Sequence, residues 1–148
     1  MPDKDLPVAE CRKPESPVRW KRLPGVLLAL YWPALFAATH LPLPRMDELP
    51  TGSDKWMHLV AYAGLGGLLS VWLSTRGASL LRLWAIVPPV CLGYAIMDEL
   101  LQLLVVSRSA DWRDGLADLG GALLGLGSVT LMRVVFEHRA RGGNANLR

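Results

Sequence analysis

Ionisable residues recur one helical turn apart in otherwise apolar parts of this chain, where a charge is costly unless it faces protein or water. Asp54 and His58 are four residues apart, and Asp114 and Asp118 have the same spacing. Residues at positions i and i+4 lie on the same face of a helix. A carboxylate beside an imidazole can transfer protons, and both groups can ligate metals or bind polar ligands. The spacing therefore predicts a polar cluster with acid–base or binding chemistry.

A third segment carries acidic and amide side chains at helical spacing. Asp98 and Gln102 are at i and i+4, and Glu99 and Gln102 are at i and i+3, so part of this set shares a helix face. Arg108 follows and can offer a bidentate guanidinium to phosphate or carboxylate, whereas Lys55 can offer a point charge. The complete candidate ligand-binding site is Asp54, Lys55, His58, Asp98, Glu99, Gln102, Arg108, Asp114 and Asp118.

Four apolar runs must position these residues. Runs 23–44 and 56–75 carry no formal charge and contain 22 and 20 residues, which suits a membrane span of about 20 residues. Two shorter runs cover 83–97 and 115–132, the second broken only by Asp118. We therefore predict an all-α, polytopic membrane protein with helices near 23–40, 54–74, 80–104 and 114–136. His40 is interpreted simply as the end of the first span.

Composition disfavours several other classes. The chain is 51% hydrophobic and 20% charged, and because the apolar residues are concentrated in runs, a soluble enzyme is not expected. It lacks the glycine period of collagen and the heptads of a coiled coil, and Cys11 and Cys91 are too few for a disulfide framework. The sequence pI is about 9.1, but the basic residues flank the apolar runs rather than form one patch. No nucleic-acid partner is therefore expected.

Short loops between the runs favour an up-down four-helix bundle. Cytoplasmic flanks of membrane helices are enriched in Lys and Arg. An N-in/C-in topology places 12 of the 16 Lys and Arg inside and leaves Arg45, Lys55, Arg108 and Arg113 outside. Residues 1–22 are then a disordered cytoplasmic tail, 23–136 the transmembrane domain and 137–148 a basic cytoplasmic tail. An alternative makes the first run a signal peptide cleaved near Ala37.

Prolines and small residues predict details of the spans. Pro33 should kink the first helix, and Pro88-Pro89 should distort the third. Small residues four apart allow helices to approach closely, either within one chain or in a homo-oligomer. They are Ala63 with Gly67, and Gly121 with Gly125, the latter pair extended by Gly127 and Ser128.

Three motifs together resemble the VanZ-like family of integral membrane proteins over about residues 23–136. They are Asp54-Lys55-Trp-Met-His58, then Asp98-Glu99-Leu-Leu-Gln102 with Arg108, then Asp114-Gly-Leu-Ala-Asp118-Leu-Gly-Gly121. Two positions depart from the family pattern. Asp118 stands where the family usually has Asn, and Val106-Ser107 replaces a frequent Pro-Gly. The extra carboxylate implies a different local acid–base balance.

The resemblance implies a multi-pass protein of the bacterial cytoplasmic membrane that alters susceptibility to teicoplanin-type lipoglycopeptides. From the residues, we expect the outer cluster to recognise an anionic envelope lipid or lipid-linked intermediate, or the lipoglycopeptide, with membrane lipids as general partners and no cofactor. Three alternatives stay open: a purely structural polar network, a membrane-embedded acid–base enzyme, and a proton-coupled transporter. A metal site from His58, Asp54, Glu99 and Asp118 is disfavoured because no local ligand motif supports it. An enzyme is disfavoured because no activated nucleophile is recognisable.

Overall fold

A computed structural model describes residues 18–40, 53–103 and 112–145, and it places them in four helices. These are α1 (Val18–His40), α2 (Ser53–Thr75), α3 (Leu80–Gln102) and α4 (Trp112–Ala145). Each helix contains a stretch long and apolar enough to span a membrane, and the described residues include no strand. The prediction of an all-α protein with four membrane-spanning helices is therefore confirmed. Arg108 lies outside the described residues.

Helices α2 and α4 run parallel and form the most extensive helix pair. Lys55 near the start of α2 bonds Asp114 near the start of α4, and Ser74 near the end of α2 accepts a bond from Arg133 far along α4. The separation in sequence is 59 residues in both contacts. This constant register aligns every α2 position with an α4 position at the same height.

The remaining contacts complete the up-down topology. Helix α1 is antiparallel to α2, because Tyr31 Oη donates to the Ala61 carbonyl oxygen at 2.7 Å while Gly25, earlier in α1, packs against Trp72, later in α2. Helix α2 contacts the other three helices, whereas α1 and α4 do not contact each other. The predicted up-down bundle is therefore confirmed.

Small residues let α2 and α4 pack backbone against backbone. A Cβ atom added at Gly121 would collide with the Leu59 carbonyl oxygen, and one added at Gly125 would collide with that of Ala63. Such close approach gives the van der Waals contact that drives helix association in lipid. The predicted small-residue contact thus lies within one chain. Its extension by Gly127 is wrong, because a Cβ added there would meet nothing within 4 Å.

Two helices extend beyond their predicted ends. Helix α1 begins at Val18, within the segment expected to be a disordered tail, and α4 continues to Ala145, through much of the expected basic tail. Charged residues end a hydrophobic run but do not end a helix, since Arg and Glu are good helix formers. Arg133 and Glu137 lie 3.9 Å apart on successive turns of α4, one on each side of the predicted helix end. Both α1 and α3 remain helical through their prolines, and the predicted bends stay predictions.

The topology separates charge between the two ends of the bundle. The polar end comprises the ends of α1 and α3 and the starts of α2 and α4, and its described acids are Asp54, Asp98, Glu99, Asp114 and Asp118. The basic end comprises the opposite helix ends and carries Arg19, Lys21, Arg22, Arg76, Arg82, Arg133, Arg139 and Arg141. Between them, large apolar side chains such as Leu30 (65% exposed) and Val60 (66% exposed) face outward, as a lipid environment requires.

Candidate functional site

The first half of the polar cluster joins α2 to α4. His58 Nδ1 lies 2.9 Å from Asp118 Oδ1, with both side chains buried. The Lys55 ammonium donates to Asp114 Oδ1 at 3.1 Å and lies 3.6 Å from Asp54 Oδ2. The parallel register of the two helices produces these contacts, because the α2 residues on the shared face meet α4 residues about 60 positions later, 59 for Lys55 and 60 for His58. Five predicted site residues are therefore brought together here.

The second half joins α1 to α3 around Asp98, which is 1% exposed. Asp98 Oδ1 accepts a hydrogen bond from Thr39 Oγ1 at 3.0 Å, and Oδ2 accepts one from Gln102 Nε2 at 3.2 Å. His40 Nδ1 lies 3.6 Å from Asp98 Oδ1, and its ring stacks on Phe36 with the centroids 4.0 Å apart. A buried carboxylate thus has two hydrogen-bond donors and a neighbouring imidazole.

Sequence reasoning missed Thr39 and His40 as members of this cluster. The one sequence feature that could have indicated them is their position at the end of the first span, because an up-down topology puts that end beside Asp98. The interpretation of His40 as a mere span end is too narrow, since its imidazole lies against the buried carboxylate. The cluster draws on all four helices rather than on the three that carry the sequence motifs.

Two tyrosines lie between the halves. Tyr62 is fully buried, Tyr94 is 6% exposed, and their ring centroids are 5.9 Å apart. Neither hydroxyl has a hydrogen-bond partner among the described residues, and the same holds for Glu99 Oε1 and His40 Nε2. A buried polar group without a partner costs about 1–3 kcal/mol. The polar end therefore retains capacity to bind further polar atoms.

A small cavity connects the two halves between α1 and α2. Its volume is about 70 Å³, and its polar lining comes from Thr39 of the second half and from Asp54 and His58 of the first. The apolar part of the lining is Leu35, Ala38, Met57 and Ala61. A cavity of this size holds a few water molecules or one small polar group. Only part of a lipid headgroup would fit inside it.

Glu99 is less integrated than the other described residues of the predicted site. Gln102, three residues after Glu99, bonds Asp98 instead. Glu99 itself is half-buried, and the described residues give its Oε1 no partner. Among the described residues, no group of three or more His, Cys, Asp or Glu side chains is arranged to hold a metal ion.

Comparison with known proteins places the motifs in a family context. The sequence model of the VanZ/LLP1 family matches residues 23–133, a range that contains the whole candidate site. No curated protein and no solved structure matches the chain. The match covers more than half of the chain and spans its three polar motifs.

Proposed function

This chain belongs to the VanZ/LLP1 family of membrane proteins, and from that premise we propose that its polar end recognises an anionic envelope lipid or lipid-linked molecule. By this recognition, it lowers the susceptibility of a bacterium to teicoplanin-type lipoglycopeptides, whose lipid tails bring them to the membrane surface. The protein resides in the bacterial cytoplasmic membrane, with the polar end facing outward.

The observation that carries the proposal is the cavity shared by the two halves of the polar cluster. A structural network needs only one or two buried pairs to fix helix register. Here, His58 of one half and Thr39 of the other line the same space. His40 and Tyr62, each next in sequence to a lining residue, carry buried polar atoms without partners among the described residues. Polar groups directed toward an accessible space in a membrane bundle support a binding role.

Lys55 and Arg108, the two cations proposed to contact an anion, are expected to have different roles. Lys55 is held by Asp54 and Asp114, so an incoming phosphate must compete with two carboxylates for its ammonium. Arg108 offers a planar guanidinium that is always charged and binds phosphate through two parallel hydrogen bonds. We therefore assign the principal anion contact to Arg108, with Lys55 holding the ends of α2 and α4 together.

The test is drug susceptibility in a glycopeptide-sensitive bacterium. Wild type should raise the minimal inhibitory concentration of teicoplanin but not of vancomycin, and equally expressed Arg108→Ala and Glu99→Ala variants should lose the effect. Arg139→Ala is the matched control, because this exposed arginine lies at the basic end. Anionic lipid retained through purification should fall in Arg108→Ala alone. No selective shift, or a shift preserved in both polar-end variants, would contradict the proposal.

Acid–base chemistry is a second candidate, favoured by the contact of His58 with Asp118. A carboxylate 2.9 Å from Nδ1 orients an imidazole as a general base requires, and the same residue lines the cavity. Release of phosphate from a lipid phosphate by the reconstituted protein, lost in His58→Gln and kept in His138→Gln, would support this candidate. Absence of turnover in wild type would leave the binding role alone.

A further inference from the structure

A second polar space lies at the basic end, between the start of α1 and the end of α2. It is an open groove of about 690 Å³, at the opposite end of the bundle from the candidate site. Its lining comprises Lys21, Arg22, Gly25, Val26, Ala29, Trp72, Thr75 and Arg76. The groove is large enough for a small-molecule headgroup, since ligand sites usually measure about 300–1,000 Å³.

The groove concentrates positive charge without a neutralising partner among the described residues. Lys21, Arg22 and Arg76 line it, and no carboxylate does. Two cations elsewhere in the described chain are already engaged: Lys55 contacts two carboxylates, and Arg133 donates to the Ala78 carbonyl oxygen at 2.9 Å. Three cations facing one space repel each other. A bound anion would be attracted to all three and would offset this repulsion.

The wall of the groove orients one of these cations. The Arg76 guanidinium carbon lies 4.6 Å from the centroid of the Trp72 ring, within the range of a cation–π contact. Trp72 in turn packs against α1 at Gly25, where an added Cβ would lie 2.9 Å from the indole Nε1. The missing side chain at Gly25 therefore lets the indole, with Arg76 stacked on it, lie close to α1.

The depth of the groove matches the headgroup region of a bilayer. The uncharged run of α1 starts directly after Arg22, and that of α2 ends at Thr75, directly before Arg76. The three cations thus lie where the hydrocarbon layer meets the lipid phosphates. Val26 and Ala29 continue the groove toward the membrane interior, where they can contact an acyl chain.

We propose that this groove binds the phosphate of an anionic membrane phospholipid, separately from any ligand of the polar end. Arg22 and Arg76 donate hydrogen bonds to the phosphate oxygens, and Lys21 supplies a third positive charge. Val26 and Ala29, the apolar part of the groove lining, contact the first part of the acyl chain. A phospholipid can contact both the cations and the apolar part of the groove, whereas a free phosphate can contact only the cations.

The test is binding of the full chain, in neutral detergent, to phosphatidylglycerol, phosphatidylcholine and inorganic phosphate, measured by native mass spectrometry and by lipid-dependent thermal stabilisation. Wild type should bind phosphatidylglycerol in preference to phosphatidylcholine. Arg22→Gln/Arg76→Gln should weaken that binding by about tenfold or more, because each cation near a lipid phosphate contributes measurably. Arg82→Gln/Arg139→Gln removes the same charge from exposed positions of the basic end outside the groove and should leave binding within about twofold of wild type.

Four results would overturn the proposal. They are equal weakening in both double variants, no preference for phosphatidylglycerol, equal stabilisation by inorganic phosphate, and phosphatidylglycerol binding that is lost in Arg108→Ala but kept in Arg22→Gln/Arg76→Gln. The last would assign the lipid to the polar end. Arg76→Lys keeps the charge and should bind phosphatidylglycerol more tightly than Arg76→Gln. This pair of single variants provides a second comparison if the double variant does not fold.

Discussion

At the scale of single residues, the contact of His58 with Asp118 gives the polar end a buried imidazole–carboxylate pair. The two side chains are 8% and 1% exposed and lie 2.9 Å apart. Asp118 gives this pair a carboxylate, whereas an Asn of similar size would give a neutral amide. Either side chain offers an oxygen to the imidazole, but only the carboxylate stabilises its protonated form.

Asp118→Ala should destabilise the protein by about 1–3 kcal/mol, because it leaves the buried His58 without its acceptor. Asp118→Asn should have a smaller effect, since the amide oxygen can still accept from Nδ1. Thermal unfolding in detergent, followed by tryptophan fluorescence, measures both. Glu137→Ala is the control, because that carboxylate is 55% exposed and lies 3.9 Å from its arginine. An Asp118→Ala protein that unfolds with the control would show that the pair contributes nothing to stability.

Residue types predicted most of the polar cluster, but they did not predict its pairings. Helical spacing groups Asp54 with His58 and Asp114 with Asp118, because that relation is local. The contact of Asp98 with Thr39 joins residues 59 positions apart and depends on how α1 and α3 are rotated about their axes. Hydropathy does not determine that rotation in a membrane bundle whose helices are apolar on most sides, so Thr39 and His40 could not be identified from their own segment.

At the scale of elements, the four apolar runs predicted the four helices because a chain in lipid must satisfy its backbone hydrogen bonds internally. The helix ends were less predictable. The end of α4 was placed near 136 where hydrophobicity falls, yet the helix continues to Ala145. The lipid boundary limits the apolar run, whereas the helix itself ends only where its backbone bonding stops.

The contact between α2 and α4 makes two glycines structurally necessary. We expect Gly121→Ala and Gly125→Ala each to lower stability by about 1–3 kcal/mol, because the added methyl groups would collide with carbonyl oxygens of α2. Gly120→Ala and Gly127→Ala are matched controls on the same helix, since an added Cβ meets nothing within 4 Å at either position. The controls should be neutral or more stable, because Ala favours the helix.

Thermal stability in detergent, together with the fraction that elutes as a single species from size exclusion, distinguishes the two pairs. Equal behaviour of all four alanine variants would mean that α2 and α4 are not packed backbone against backbone. An altered oligomeric state confined to Gly121→Ala and Gly125→Ala, with unchanged stability, would instead show that these glycines pack at an interface between two chains.

At the scale of the whole molecule, the two ends of the bundle carry opposite charge. The polar end contains five described acids beside Lys55 and Arg113, whereas the described basic end contains eight Lys and Arg, with Glu137 beside one of them. A basic flank is typically retained on the cytoplasmic side. The distribution therefore predicts that the basic end faces the cytoplasm and that the polar cluster opens to the outer surface.

Single-cysteine labelling tests this orientation directly. In a Cys11→Ser background, Cys91 can remain because it is 1% exposed and lies within α3, and the background itself measures its residual reactivity. A membrane-impermeant maleimide added to spheroplasts should label Ser107→Cys, between α3 and α4, but not His138→Cys, at the basic end of α4. Both should react after the membrane is opened. The reverse pattern would invert the orientation and place the polar cluster on the cytoplasmic side. An outward-facing ligand would then be excluded for that cluster, whereas the phospholipid proposed for the basic groove would have to come from the outer leaflet.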